Sequence, residues 1–388
     1  MAKKKIGCVI AYRKNHTNYG TALVGYALIK KLQQLGHNVE VINYIKHPNL
    51  IQKIVWVLNA FRCGMGKSVL NRFKDKSNLK INQVYANGIK QRTEAVEAYK
   101  EKRLIPLFKN YIGYKALHEG SKNYATVIVG SDQVWLPSGL PTRFFNLLFV
   151  DDNVRKVAYA SSFGVSDIPS FQRKATGAYL ERFYRIGVRE QRGKEIVDSL
   201  SNQKAQVVAD PTLLLNADEW CEEIKESKVS INEPYIFCYF LGKNMEARKA
   251  TEKLKQQTGY KIITLRHMDE FVPEDEQFGD EAPYYVDPHD FLNYIKNATY
   301  VCTDSFHCTA FSIQFHKKFM TFYRFKLSES TGRNSRIDSL FNICEIDKTH
   351  IYNGDITKIE LPINWNIVDD KLNKLRIAST EFLINALN

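Results

Sequence analysis

The chain has 388 residues, 44% hydrophobic and 25% charged, with a formal net charge of +13. That length favours two domains over one, and the composition is that of a globular protein rather than a disordered or fibrous one. No run of 18 or more apolar residues occurs, which excludes a spanning helix.

The N-terminal residues Met1–Lys5 are basic, but the apolar run behind them, Ile6–Ala11, is too short for a signal segment and ends in Tyr12, Arg13 and Lys14. A first β-strand is expected there. The loop Asn18-Tyr19-Gly20-Thr21 follows, then a helix over 22–35 with Leu23, Ala27, Leu28 and Leu32 on one face and Gly36 as its stop. Val39–Tyr44 reads as the next strand, and this βαβ rhythm predicts a parallel sheet.

Residues 48–118 read as a basic, helix-rich insertion, with Ile51, Ile54, Val55, Leu58 and Phe61 along one helical face and Trp56 nearby. Charge concentrates here: residues 51–110 hold 13 Lys and Arg against 4 Asp and Glu. Such a face is either solvated or laid on an anionic membrane surface. No nucleic-acid-reading motif accompanies the charge, so nucleic acid is not an expected partner. Cys63–Ser68 resembles the tail of a phosphate-binding loop but lacks the first glycine and a preceding strand, and is set aside.

The sheet is expected to resume at Ala125–Gly130, Lys156–Ala160, Arg185–Arg189 and Ala205–Ala209. Each strand ends in polar residues: Ser131, Asp132 and Gln133 after the first, Ser161 and Ser162 after the second, Arg189 at the third, Asp210 after the fourth. Four polar strand ends at one sheet edge line a site.

A polar, poorly periodic segment at 216–233 reads as an interdomain linker, dividing a first domain (1–215) from a second (234–388). Further strands are expected at Tyr235–Tyr239, Lys261–Leu265, Ala298–Cys302 and Lys318–Tyr323, with helices near 245–257, 288–296 and 308–316. A last helix, 369–387, is expected to pack back on the first domain. The fold class is therefore α/β, with two doubly wound Rossmann-like domains facing a cleft.

In the second domain, Asp304, Ser305 and His307 stand where a strand gives way to a helix, a position that favours anions and places a titratable imidazole beside them. An Asp or Ser helix cap beside a packed histidine is the structural alternative. Arg189, Arg266, Arg333 and Arg336 are candidates for gripping carboxylate or phosphate. The seven cysteines are scattered, and His267 and His289 have no ligand-like spacing, so reduced thiols in a cytoplasm and no metal are expected.

Taken in order, these blocks resemble the polysaccharide pyruvyl transferase family. They run from Asn18-Tyr19-Gly20-Thr21 through Val129–Trp135, Tyr159–Gly164, Gly187–Glu190 and Ala209–Leu215 to Thr303–His307 and Asn334–Ile337. The resemblance implies a glycosyltransferase-B-like fold and transfer of pyruvate from phosphoenolpyruvate to a sugar, usually as a ketal, without a cofactor. It implies His307, Asp132 and Asp304 as catalytic residues. The donor would meet Arg189, Arg336, Ser305, His307 and Arg266. The acceptor would meet Asn18, Tyr19, Gly20, Ser131, Asp132, Gln133, Ser161 and Ser162. Phe306 is a departure, standing between Ser305 and His307 where some members carry an arginine, whose role would fall to Arg336 or Arg189. The acceptor would be a sugar of a surface or capsular polysaccharide, and the basic insertion on a cytoplasmic enzyme raises the expectation of a lipid-pyrophosphate-linked acceptor met at the inner face of the plasma membrane. A nucleotide-sugar glycosyltransferase, a sugar-nucleotide epimerase and an inactive glycan-binding relative remain as alternatives.

Overall fold

A computed structural model describes residues 5–65, 83–268, 271–324 and 334–388. Residues 66–82 of the basic segment, and Arg333, lie outside the described residues.

The first sheet has seven strands, β1 (Lys5–Val9), β2 (Asn38–Ile45), β3 (Phe108–Ile112), β4 (Thr126–Asp132), β5 (Arg155–Ser161), β6 (Arg185–Val188) and β7 (Ala205–Val207). They lie side by side as 3-2-1-4-5-6-7, all parallel. The second sheet has four, β8 (Tyr235–Tyr239), β9 (Lys261–Thr264), β10 (Tyr300–Thr303) and β11 (Lys318–Thr321), ordered 11-10-8-9 and again parallel. Central strands such as Thr126–Asp132 and Tyr235–Tyr239 are buried on both faces, as helix-covered parallel strands must be.

Two expectations are corrected. The region 48–118 is not purely a helical insertion. It holds the helices Leu50–Arg62 and Gln83–Arg103, but it also supplies β3, which pairs with β2 from Val41↔Phe108 to Ile45↔Ile112 at the sheet edge. Its sequence, FKNYI, is mostly exposed, so it lacks the apolar run that marks the buried strands. The segment 216–233 carries the helix Ala217–Ile224, started by a reciprocal capping pair of Asn216 and Glu219, and its Trp220 is fully buried.

The order 3-2-1-4 in the first sheet places a switch point between β1 and β4, and 10-8 in the second places one between β8 and β10. What joins the halves is a single apolar core. The helix Tyr19–Gln34 follows β1 and is buried nearly all round. Its Tyr19 ring stacks on Phe291 of the helix Pro288–Asn297, with centroids 4.6 Å apart. Trp220 meets Phe311 edge-on at 5.1 Å. The closing helix, Trp365–Leu387, returns to the first sheet, where Phe382 packs near Tyr159 and the Ser379 hydroxyl accepts the Ala209 N–H at 2.8 Å. Among the described residues no helix is long and apolar enough to cross a membrane.

A polar clasp reinforces this junction. Glu223 accepts from the Tyr26 hydroxyl at 2.5 Å, pairs with Arg103 at 2.8 Å and stands 3.5 Å from His289, whose other ring nitrogen is 3.4 Å from Asp287. Burial works against the His289 charge, but Asp287 and Glu223 outweigh it and lift the imidazole to about 9. A raised folded-state value means the contribution is complete below pH 6.5 and fades as pH climbs through 9. The clasp should therefore lose about 3 kcal/mol between pH 6.5 and pH 10. Urea unfolding midpoints across that range should fall more steeply for the native chain than for His289→Asn.

Candidate active site

At the carboxyl edge of both sheets lies a cavity of about 680 Å³. From the first sheet it is lined by Tyr12, Arg13, Asn18, Thr21, Lys46, Asp132 and Gln133, and from the second by Leu241, Ser305, Phe306, His307, Arg324 and Arg336. It sits at both switch points at once, where open parallel sheets bind ligands.

The residues behind its wall form a buried ionic cluster. Arg189, 5% exposed, follows β6 and is 2.9 Å from Asp210, 3.5 Å from Asp132 and 3.6 Å from Glu190. Burial alone would weaken its charge, but these carboxylates raise its affinity for the proton. Asp210 caps the turn Pro211–Leu214, accepting from the Thr212 N–H at 3.0 Å and hydroxyl at 2.8 Å, and also accepts from Ser131 at 3.2 Å. Burial opposes its ionisation, yet His307, Arg189 and Thr212 hold its carboxyl well below the usual range. Glu190 accepts from Ser162 at 2.5 Å.

Asp132 ends β4 with φ +86°, a left-handed conformation that a non-glycine residue adopts at some strain. The bend aims its carboxylate at the cavity, where one oxygen accepts from the Thr21 hydroxyl at 3.1 Å and the other from the Gln133 N–H at 2.9 Å. Burial raises its pKa, but Arg189, His307 and Arg336 together bring it below the ordinary carboxylate value.

His307 lies in the first turn of the helix Phe306–Gln314, which Ser305 caps by accepting the Cys308 N–H at 3.4 Å. The ring's Nε2 is 3.8 Å from Asp210. Its Nδ1 edge presses on the backbone at Gly20, where a Cβ atom would stand 2.2 Å from Nδ1. Only glycine allows that approach.

Arg336, the second residue of the helix Ser335–Cys344, reaches the cavity with its guanidinium 5.8 Å from the Phe306 ring centroid. Arg189 faces the same ring at 5.2 Å. Phe306 thus separates two cations. Burial and then the repulsion of Arg189 pull Arg336 down to about 10.

The structure divides the sequence-predicted residues into two groups. Asn18, Asp132, Gln133, Ser305, His307 and Arg336 line the cavity. Ser131, Ser162 and Arg189 stand behind it in the ionic cluster, and Ser161 is fully buried. Tyr19 is also fully buried, its hydroxyl donating to the Val286 carbonyl, so it props the junction of the halves rather than meeting a ligand. Asp304 accepts the Leu241 N–H at 2.7 Å and faces Arg324 at 3.5 Å, joining the loops after β8 and β10 from below the cavity. Arg266 is engaged with Glu276 and the Tyr284 hydroxyl and is not part of the lining. Arg324 was missed by sequence reasoning. Its only signal is its place just past β11. Among the described residues no cluster of three His, Cys, Asp or Glu could hold a metal ion.

Two facing parallel sheets with a cavity at their carboxyl edges make a glycosyltransferase-B-like fold. The chain belongs to the polysaccharide pyruvyl transferase family, whose model matches residues 18–324. Among solved structures it is similar to Arabidopsis thaliana UGT89C1 complexed with UDP-L-rhamnose, at 8% identity over 100% of both chains with a TM-score of 0.50. It is also similar to the UDP-GlcNAc 2-epimerase of Methanocaldococcus jannaschii, at 14% identity over 98% of both chains with a TM-score of 0.48. A third is the UDP-GlcNAc 2-epimerase of Neisseria meningitidis, at 9% identity over 99% of both, TM-score 0.47. No curated protein matches the chain.

The two site arginines should respond oppositely to removal. Arg189→Met leaves the buried Asp210 and Glu190 and the partly buried Asp132 facing one another and should cost about 3–5 kcal/mol. Arg336→Met removes a charge the fold compensates poorly and should alter stability by less than about 1 kcal/mol, or raise it. Urea midpoints of both variants beside the native chain check the contrast.

Proposed function

We propose that this protein transfers the pyruvyl group of phosphoenolpyruvate to a pair of hydroxyls on a sugar, forming a ketal and releasing phosphate, in the synthesis of a surface or capsular polysaccharide. The observation that carries this reading is the meeting of His307 with Arg336, Arg324 and Asp132 in one cavity, in a chain of this family.

The donor is a small trianion. Of the cations lining the cavity, Arg336 and Arg324 come from the same half as His307 and would grip its phosphate and carboxylate, and the capped start of the helix Phe306–Gln314 adds its dipole. Arg189 acts from behind as a positioning residue. It fixes Asp132 and Asp210, which in turn set the acceptor side and the imidazole.

His307 gives a proton to the donor's methylene carbon as general acid, making it a methyl group. The adjacent carbon becomes electron-poor, and an acceptor hydroxyl oxygen bonds to it. The carbon–oxygen bond to phosphate breaks, a second hydroxyl takes its place, and phosphate leaves. Of the two hydroxyl protons lost, one restores the imidazole and the other leaves on phosphate, so charge and atoms balance. Asp132, held by the Thr21 hydroxyl, accepts from the acceptor hydroxyls and draws off their protons. The sugar would enter along Asn18 and Gln133.

Phosphate release from phosphoenolpyruvate, with galactose-, mannose- and glucosamine-type acceptors, tests the reading. Acceptor-dependent release should fall about 10²–10⁴-fold in His307→Ala with the fold intact. No release, together with thermal stabilisation by a UDP-sugar and none by phosphoenolpyruvate, would transfer the assignment to glycosyl transfer. In Gly20→Ala the added methyl displaces the imidazole, and release should drop about 10–100-fold. The melting temperature should move by only a few degrees, because alanine suits a helix better than glycine.

A further inference from the structure

The helix Leu50–Arg62 is folded inside out. Its polar side faces the protein. Asn59 donates to the Pro137 and Ser138 carbonyls at 3.1 Å and accepts from Gln172 at 2.7 Å, while the Trp56 indole donates to the Pro141 carbonyl at 3.3 Å. Its apolar side faces outward, with Leu50, Ile51, Ile54, Leu58 and Phe61 between 48% and 73% exposed. An ordinary surface helix does the reverse. A contiguous outward apolar stripe of this kind marks an interaction surface.

The charge around the stripe indicates what covers it. The helix contains Lys53 and Arg62 and no acidic residue, and Lys46 stands 5.6 Å from the Trp56 ring. Phe171, 40% exposed, lies under the Arg62 guanidinium at 3.9 Å and extends the apolar surface. An apolar stripe edged by cations suits the interface of an anionic bilayer, where the side chains enter the acyl boundary and the cations meet phosphate headgroups. At 13 residues the helix is too short to span, so it would lie in the plane of the surface.

Position gives the contact a purpose. The segment that anchors the helix, Pro137–Thr142, lies between Leu136 and Phe144, both of which line the cavity, as does Lys46. We infer that the helix Leu50–Arg62 docks the protein on an anionic lipid surface and holds the cavity rim against the headgroups. The docking stands without any assignment of the reaction. Its consequence, that the acceptor sugar is presented from a membrane lipid, rests on the pyruvyl-transfer reading.

Co-sedimentation of the full chain with vesicles of phosphatidylglycerol and phosphatidylcholine, beside vesicles of phosphatidylcholine alone, tests the docking without substrate. The native chain should bind the anionic vesicles, and the double variant Ile54→Glu/Leu58→Glu should bind about tenfold less or worse. Both positions are exposed, so circular dichroism and melting temperature should be unchanged. Failure of the native chain to bind, or unchanged binding by the variant, would overturn the inference. A native oligomer that dissociates in the variant, without vesicle binding, would also overturn it and assign the stripe to a second copy of the chain.

Discussion

Arg189 and its three carboxylates are the constraint around which the site is built. The guanidinium lies within 3.6 Å of Asp210, Asp132 and Glu190, three residues that follow or end different strands of one sheet. Each contact is worth about 5 kcal/mol at an effective dielectric of 20, against a desolvation penalty of several kcal/mol for every ion buried. Attraction and desolvation nearly cancel, so the cluster adds little net stability. What it adds is position. Asp132 keeps its strained backbone at the end of β4, and Asp210 faces the imidazole, because one rigid fork holds both. One arginine against three carboxylates leaves two surplus negative charges, and these face His307 and draw Arg336 inward despite its burial.

A second constraint comes from the way the halves meet. Many two-domain enzymes close on a ligand by hinge motion across a polar interface. Here the interface is part of one apolar core, with Tyr19 on Phe291 and Trp220 against Phe311. The helix Tyr19–Gln34 belongs to the first sheet in sequence and to both halves in packing. Gly20, beside Tyr19, lets the same helix approach the imidazole of the opposite half. A packed core is bistable at best rather than smoothly deformable, so the distance between Asp132 and His307 is set by folding.

The features legible in the sequence were those written in local pattern. Apolar runs such as Val127–Val129 and Ile236–Cys238 announced buried parallel strands, and their polar ends announced the cavity edge. β3 was illegible because a half-exposed edge strand has no apolar run. The Ala217–Ile224 helix did carry a local signal, Asn216 three residues before Glu219, which its polar surroundings obscured. Roles that depend on long-range packing were the least legible. Tyr19 sits in the same motif as Asn18 and Thr21, yet it turns into the core while they face the cavity. Arg266 and Arg324 both follow strands of the second sheet, and nothing local distinguishes them. Only the placement of Glu276 beside Arg266 and of Asp304 beside Arg324 does.

The pattern of satisfied and unsatisfied charge differs between the two polar clusters. In the His289 clasp every buried cation has carboxylates close by, and the imidazole is lifted accordingly. At Arg336 the balance is reversed: burial and a neighbouring arginine press its charge down, and its Nε is buried without a hydrogen-bond partner among the described residues. Such a difference marks Arg336 as a candidate for contact with a bound anion. An anion in the cavity would relieve the repulsion between Arg189 and Arg336 across Phe306 and supply the missing acceptor. Among the described residues the neighbouring carboxylates are already committed to Arg189, Thr21 and the backbone. The carboxylates around Arg189 thus hold a surplus of negative charge behind the wall, while Arg336, on the cavity side, is compensated by them only in part.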